Sequence, residues 1–287
     1  MDLTPSFLLN KIPVGQWVAK GLEFLTSNFD QQFRFFSDGL EWLILCTIDL
    51  LTVTPPLIVI SGVMGLWYVL HRNLKGAVGL ALALLLILNL GYWQETMETV
   101  ALVLFATLIS VLVGVPIGIL AARKSWLYIG LRPVLDLMQT IPTFVYLIPT
   151  LMLFGLGMVP GLISTVVFSV PAPIRLTYLG ISGVPRELVE AGKSFGASPL
   201  QLLYKVELPH AMPTIMAGLT QCIMLSLSMV VIAALVGADG LGKPVIRALN
   251  TVNMAQGFEA GLAIVIVAIV LDRLLKQSDQ KTSSQDR

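Results

Sequence analysis

Long apolar runs constrain this chain more than any other feature. Several stretches reach the 18 or more residues that read as membrane spans. Hydrophobic residues make up 56% of the 287, and charged residues only 12%, against about 25% in ordinary soluble domains. The runs do not alternate, so they are not the roughly ten-residue strands of an outer-membrane barrel. The expected fold class is therefore an all-α polytopic membrane protein. A net charge of +1 gives no reason to expect nucleic acid as a partner. Cys46 and Cys222 both sit in apolar surroundings without ligand spacing, so they are read as packing residues and no metal site is expected.

About seven spans are placed near 55–71, 76–93, 98–121, 133–157, 160–181, 211–237 and 258–275. Residues 1–54 read as an N-terminal extension, amphipathic enough for an interfacial helix or a packed tail. Residues 55–275 form the transmembrane domain, and 276–287 a polar tail. Basic residues choose the side of the membrane. The loops after the first, third and fifth spans carry His71, Arg72 and Lys75; Arg123, Lys124 and Arg132; and Arg186, Lys193 and Lys205. The tail carries Arg273, Lys276, Lys281 and Arg287. The intervening loops carry Glu95 and Glu98, or, in "GLGMVPG", no charge. This places the C-terminus in the cytoplasm and the N-terminus outside. The spans contain Pro116, Pro142, Pro149, Pro171 and Pro173. Each removes a backbone donor and tends to kink a helix, which suggests discontinuous or moving helices. Arg175 and Asp136 are charges near span ends, read as snorkelling or as a local ion pair.

One stretch breaks the apolar pattern: "ELVEAGKSFGASPLQLLYKVELP", from Glu187 to Pro209. Its "GKS" is not a phosphate loop. That motif needs a glycine five residues before the Gly-Lys pair, where Glu187 stands. Pro185 fits a first helical turn, and Glu187 and Glu190 suit the positive end of a helix dipole. Leu188, Ala191 and Phe195 make an apolar stripe, and Gly196 follows as a C′ residue. Ser198, Pro199 and Gln201 then restart a helix with a capping box. Leu202, Leu203 and Val206 form its apolar stripe, and Pro209 is expected to stop it. The expectation is a helix, a glycine hinge and a second helix within 183–210.

The stretch resembles the cytoplasmic EAA loop of ABC-importer permeases, which runs Glu-Ala-Ala, three residues, Gly, nine residues, Ile-x-Leu-Pro. Here it reads Glu190-Ala191-Gly192, three residues, Gly196, nine residues, Val206-Glu207-Leu208-Pro209. Gly192 and Val206 are the departures. The segments "LMQTIPTFVYLIPTLMLFGLG" and "LSLSMVVIAALVGADGLG" are similar to glycine betaine/proline/choline-type permeases, and the likeness runs from about residue 60 to residue 275. The resemblance implies a type I permease fold with a cytoplasmic EAA helix pair. It implies the transmembrane subunit of an ATP-driven importer of a compatible solute such as glycine betaine, choline or proline.

Further implications concern partners and site residues. Two ABC ATPase subunits, a second copy of the permease in a homodimer, an extracytoplasmic substrate-binding protein and membrane lipid are expected. The bacterial inner membrane is the expected location. ATP and Mg would sit on the ATPase subunits; no catalytic residue and no cofactor are expected on this chain. The residues implied in ATPase coupling are Glu187, Glu190, Ala191, Gly192, Ser194, Phe195, Gly196, Leu208 and Pro209. Candidate pore-lining residues are Gln139, Thr143, Phe144, Tyr146, Ser226 and Ser228. Aromatic faces suit quaternary ammonium groups, while helix packing by small and aromatic residues explains the same positions. An ABC permease for an amino acid or sulfonate, a secondary transporter and a membrane scaffold are the alternatives.

Overall fold

The computed structural model describes residues 13–275. Expectations that fall on 1–12 and on the tail 276–287, with Lys276, Lys281 and Arg287, lie outside the described residues. Among those described there is no strand. Hydrocarbon offers a peptide group no hydrogen-bond partner, so a helix, which satisfies its own backbone, is the form these runs must take.

The chain opens with α1, Val14–Val53, which bends at Phe29, where φ is −126° and ψ 16°. Next come α2, Pro56–His71, α3, Leu74–Asn89, and α4, Trp93–Arg123. The helix α5 spans Ser125–Thr140, a 3-10 turn covers Thr143–Tyr146, and α6 spans Leu147–Phe154. Then follow α7, Met158–Ser169, and α8, Pro171–Ser182. Beyond them lie α9, Arg186–Ser194, α10, Pro199–Leu202, a π turn at Leu203–Glu207, and α11, Leu208–Ala233. The last helices are α12, Gly242–Thr251, and α13, Met254–Leu275.

Each of the seven expected spans coincides with helix, but they are not seven straight crossings. Four described helical stretches are long and apolar enough to cross a membrane alone: 93–123, 158–182, 199–236 and 254–274. The number rises to six if each of two bent pairs is one span. The remaining segment, α3, has 16 residues. At 1.5 Å per residue it falls short of a hydrocarbon core about 30 Å thick.

The bends lie at Thr54–Pro55, where α1 and α2 meet at 98°, and at Ile141–Pro142, where α5 meets the next helix at 107°. A proline ring disfavours the helical region for the residue before it. Thr54 and Ile141 accordingly adopt ψ of 126° and 131°. The expected span 133–157 is therefore corrected to two helices joined at a sharp corner. The other span prolines are milder. Pro116 lies inside an unbroken α4. Pro149 sits in the first turn of α6, and Pro171 and Pro173 in the first turn of α8.

Residues 14–53, expected as interfacial pieces, form the single bent helix α1, and it reaches into the bundle. Ile44 and Ile48 join the main core with Trp67, Leu84, Leu102, Ile223 and Val267. Phe33 meets Phe154 edge to face at 5.4 Å. Cys222 is buried as expected, but Cys46 is exposed on α1, so its packing role is corrected.

The bundle is knit by small residues. A Cβ at Gly114 would lie 2.8 Å from Pro173, and one at Gly118 only 2.6 Å from Thr177 Cβ and 2.7 Å from the Ile174 carbonyl. Between lipid-facing helices, where no hydrophobic gain remains, such close approach supplies the dispersion contact that holds them. Hydroxyl pairs add to it: Ser110 and Ser169 are 2.9 Å apart, and Thr150 and Ser164 2.7 Å. The charges flagged within spans pair across helices, Arg175 Nη2 donating to Asp136 Oδ1 at 2.6 Å.

Gly118→Ala is expected to destabilise the protein by about 1–3 kcal/mol, because the contact includes a backbone oxygen that cannot turn aside. Gly130→Ala, with open space around its Cβ position, should be neutral or slightly stabilising. Thermal melting of the purified protein in detergent compares the two; equal melting temperatures would count against this account of the α4–α8 contact.

Candidate functional site

The 183–210 stretch folds by local rules that its sequence already carries. Pro185 precedes α9, and Glu187 lies in the first turn. At the other end the helix closes in a Schellman arrangement. Gly196 N–H donates to the Lys193 carbonyl at 2.9 Å, and Ala197 N–H to the Gly192 carbonyl at 3.1 Å. The geometry needs a left-handed residue at the hinge, and Gly196 has φ +76°. Two residues later the capping box forms. Gln201 N–H donates to Ser198 Oγ at 3.3 Å, and Ser198 N–H to Gln201 Oε1 at 2.8 Å.

Pro209 does not stop the second helix, contrary to expectation. The helical path is continuous from Pro199 to Val236. The π turn at Leu203–Glu207 stands immediately before it, and Leu208 N–H donates five residues back, to the Leu203 carbonyl. In an α-helix the ring of Pro209 would strike the carbonyl four residues earlier, that of Lys205. The widened turn moves that carbonyl aside, and Pro209 falls in the first turn of α11.

The two apolar stripes of the stretch point in different directions. Leu202 and Leu203 are buried. Leu203 packs with Ile181 and Ala211 and against Ile119, Ala122, Leu208 and Ile215. On α9, by contrast, Leu188, Ala191 and Phe195 are exposed, Phe195 at 92%. Glu187, Glu190 and Ser194 are exposed too, and the Ser194 hydroxyl is spent on the Glu190 carbonyl at 3.0 Å. Gly192 is half-buried and faces inward: a Cβ there would lie 2.7 Å from Leu202 Cδ1. A glycine in place of the motif's second alanine thus coincides with a close seat for α9 on Leu202. One further contact lay outside the sequence reading. Arg123, at the end of α4, donates to Glu207 Oε2 at 2.7 Å. No local spacing reveals it, since the partners lie 84 positions apart.

The candidate pore residues fall in two groups. Gln139, Thr143, Phe144 and Tyr146 gather around the Ile141–Pro142 corner, with Gln139 and Phe144 exposed. Tyr146 is half-buried, and its hydroxyl donates to the Met138 carbonyl at 2.6 Å. This corner lies beside α11, where Leu147 packs with Met229 and Val236. On α11 itself Ser228 is exposed and donates to the Met224 carbonyl at 3.0 Å. Ser226 is fully buried and opens onto no surface of the single chain.

At the opposite end of α4 a cavity of about 250 Å³ is lined by Tyr92, Glu95, Glu98, Asp239, Lys243 and Arg247, among others. Asp239 and Lys243 form an ion pair. Burial, then the carboxylates of Glu259 and Glu95, push the Tyr92 phenol up. The sequence reading used Glu95 and Glu98 only as topology markers, because the cavity needs the 239–247 segment brought beside them.

Comparison with known proteins fits this geometry. Residues 114–284 match the model of the binding-protein-dependent transport system inner membrane component family. The glycine betaine/carnitine transport permease protein GbuB of Listeria monocytogenes is 44% identical, over 96% of this chain and 98% of that protein. The glycine betaine transport system permease protein OpuAB of Bacillus subtilis is 42% identical, with the same coverage of 96% and 98%. The glycine betaine/proline betaine transport system permease protein ProW of Escherichia coli is 42% identical, over 96% of this chain and 77% of that protein. Among solved structures, an inward-facing form of the MetNI methionine ABC transporter superposes with a TM-score of 0.58 at 22% identity, over 64% of this chain and 94% of that one. That likeness concerns the fold.

Gly196→Ala should strain the hinge by about 1–2 kcal/mol, raising amide exchange across 186–198 by roughly five- to thirty-fold. Gly196→Asn should raise it less, since asparagine tolerates the left-handed region. Exchange measured by mass spectrometry on the two variants checks this, and unchanged protection in Gly196→Ala would contradict the Schellman closure.

Proposed function

The chain belongs to the family of binding-protein-dependent transport system inner membrane components, and from that premise we propose that it is the membrane-spanning subunit of an ATP-driven importer for glycine betaine or a related quaternary ammonium solute. The solute class rests on relatives above 40% identity whose names all carry glycine betaine. The observation that carries the mechanism is the exposed stripe of α9. Leu188, Ala191 and Phe195 line up on a helix too short to be stable alone, seated on Leu202 and rigidly closed at Gly196. An apolar helix face presented in this way suits a groove on a partner.

In this reading a pair of ABC ATPase subunits receives α9, with Glu187, Glu190, Ala191, Gly192, Ser194, Phe195 and Gly196 as the coupling contact. Leu208 and Pro209 carry the movement into α11. ATP and Mg belong to the ATPase subunits, and this chain contributes no catalytic group. Two copies of the chain form the path, and an extracytoplasmic binding protein delivers the solute. The basic loops suggest an N-terminus outside and a C-terminus inside, which counts α3, with its 16 residues, as a crossing beside the six longer ones. The corner residues Gln139, Thr143, Phe144 and Tyr146 contribute to the path beside α11. Phe144 offers an exposed aromatic face to a quaternary ammonium group. Ser228 is the hydroxyl of α11 open to it, with Ser226 held behind in the packing.

The complex purified through this chain should contain an ABC ATPase. In vesicles supplied with ATP and binding protein it should take up labelled glycine betaine. Uptake of labelled methionine or sulfonate in its place, or ATP-independent uptake driven by an ion gradient, would overturn the solute class or the transport class respectively. Gly196→Trp should abolish most uptake; full uptake with solute-stimulated ATP hydrolysis intact would remove the coupling role from α9.

A further inference from the structure

The segment assigned to coupling is tied back to the bundle by a single cation. Arg123 is the last residue of α4. Its Nη2 donates to the Pro199 carbonyl at 3.1 Å and to Glu207 Oε2 at 2.7 Å. Pro199 opens α10 and Glu207 closes the π turn. One guanidinium nitrogen therefore holds both ends of the 199–207 stretch.

The burial of the pair sets it apart. Among the ion pairs of the described residues, the acids Asp30, Asp136 and Asp239 keep 55%, 53% and 45% of their side-chain surface exposed. Glu207 keeps 11%. A carboxylate this enclosed loses most of its hydration and is retained only with a charged, hydrogen-bonding partner. The neighbouring acids Glu187 and Glu190 stay exposed, so Glu207 is turned toward the bundle rather than toward a docking surface.

The contacts on either side of the pair form a continuous line. α9 rests through Gly192 on Leu202 and, more loosely, on Val206. Leu203 of the π turn packs against Ile119 and Ala122, within the last turn and a half of α4. From there α4, 31 residues long in all, runs back to the mixed-charge cavity at its other end, which Glu95 and Glu98 line. Apolar contact alone is non-directional and lets surfaces slide. A charge-assisted bond made to two fixed acceptors resists sliding in a defined direction.

We propose that Arg123 and Glu207 form a brace that passes displacement of the α9–α10 segment into α4, so that α4 and α11 move together. Arg123 is a positioning residue: it acts through Glu207 and Pro199 and touches neither solute nor ATPase. The inference rests on the transport reading above.

The test uses the complete complex with its ATPase subunits in vesicles, supplied with binding protein, and reads labelled glycine betaine transported per ATP hydrolysed. The wild-type complex decides the transport reading: with no ATP-driven uptake, that reading falls, and the brace with it. If the wild type transports, the variants decide the brace alone. Arg123→Gln and Glu207→Gln should each lower the ratio roughly five-fold, with ATPase subunits co-purifying at the wild-type proportion. The double variant should be no worse than the worse single, because both remove one interaction. Where Arg123→Gln does not assemble, Arg123→Lys, which keeps the charge but sets its donors on a shorter, non-planar head, should lower the ratio in the same direction. An unchanged ratio, losses that multiply in the double variant, or losses that only follow the amount of bound ATPase would each overturn the brace.

Discussion

A peptide group in hydrocarbon has to find its hydrogen bond within the protein, and the rest of this structure depends on that requirement. It turns the apolar runs into helices, and it decides where helices are permitted to break. The two sharpest corners occur where a proline follows a residue that cannot then be helical. At the second corner the Tyr146 hydroxyl is donated to the Met138 carbonyl, one of the groups near the end of α5 that the break leaves without a helical partner. The π turn before Pro209 is a gentler answer to the same requirement. It keeps the helical path continuous while making room for a ring.

With the backbone satisfied, association of the helices falls to shape. Gly114 and Gly118 let α4 lie against α8 at distances no side chain would allow, and Ser110 and Ser169 join α4 to α7 with a hydroxyl pair. This puts α4 in firm contact with the helices around it. A long helix packed in this way suits a transporter, since it carries force along its length without bending. In the proposed brace, Arg123 at its end, holding the 199–207 stretch at two points, is where that force enters. In the proposed coupling role, the exposed face of α9 is the side for a partner and the buried face of α10 the side for the bundle.

The parts of the site legible in the sequence are those governed by neighbours in the chain. Gly196 reads as a C′ residue because a helix end needs a left-handed position, and the Ser198–Gln201 box reads from a four-residue pattern. Both stand in the structure as the pattern implies. Pro209 was misread because a local rule, that proline ends a helix, assumes α-helical register; the π turn that changes the register leaves no mark in composition. Gly192 reads in the sequence only as a departure from the motif's second alanine, whereas its place is set by Leu202, ten residues away. Cys46 looked buried because its neighbours are apolar, yet apolar neighbours in a membrane helix also face outward.

A resemblance in one stretch pointed to the family; the sequence by itself determined the class of the molecule, the helical segments, and that interrupted stretch with its caps and hinge. These are consequences of hydropathy, backbone preference and contacts a few residues long. Only the tertiary structure decided which of those segments are straight crossings and which are corners, and which face of the 183–210 stretch is buried. It alone brought Arg123 to Glu207, and Glu95 and Glu98 beside Lys243 and Arg247. The physical reason is separation along the chain: a pairing between residues 84 positions apart is set by how whole helices pack, and no local preference records it.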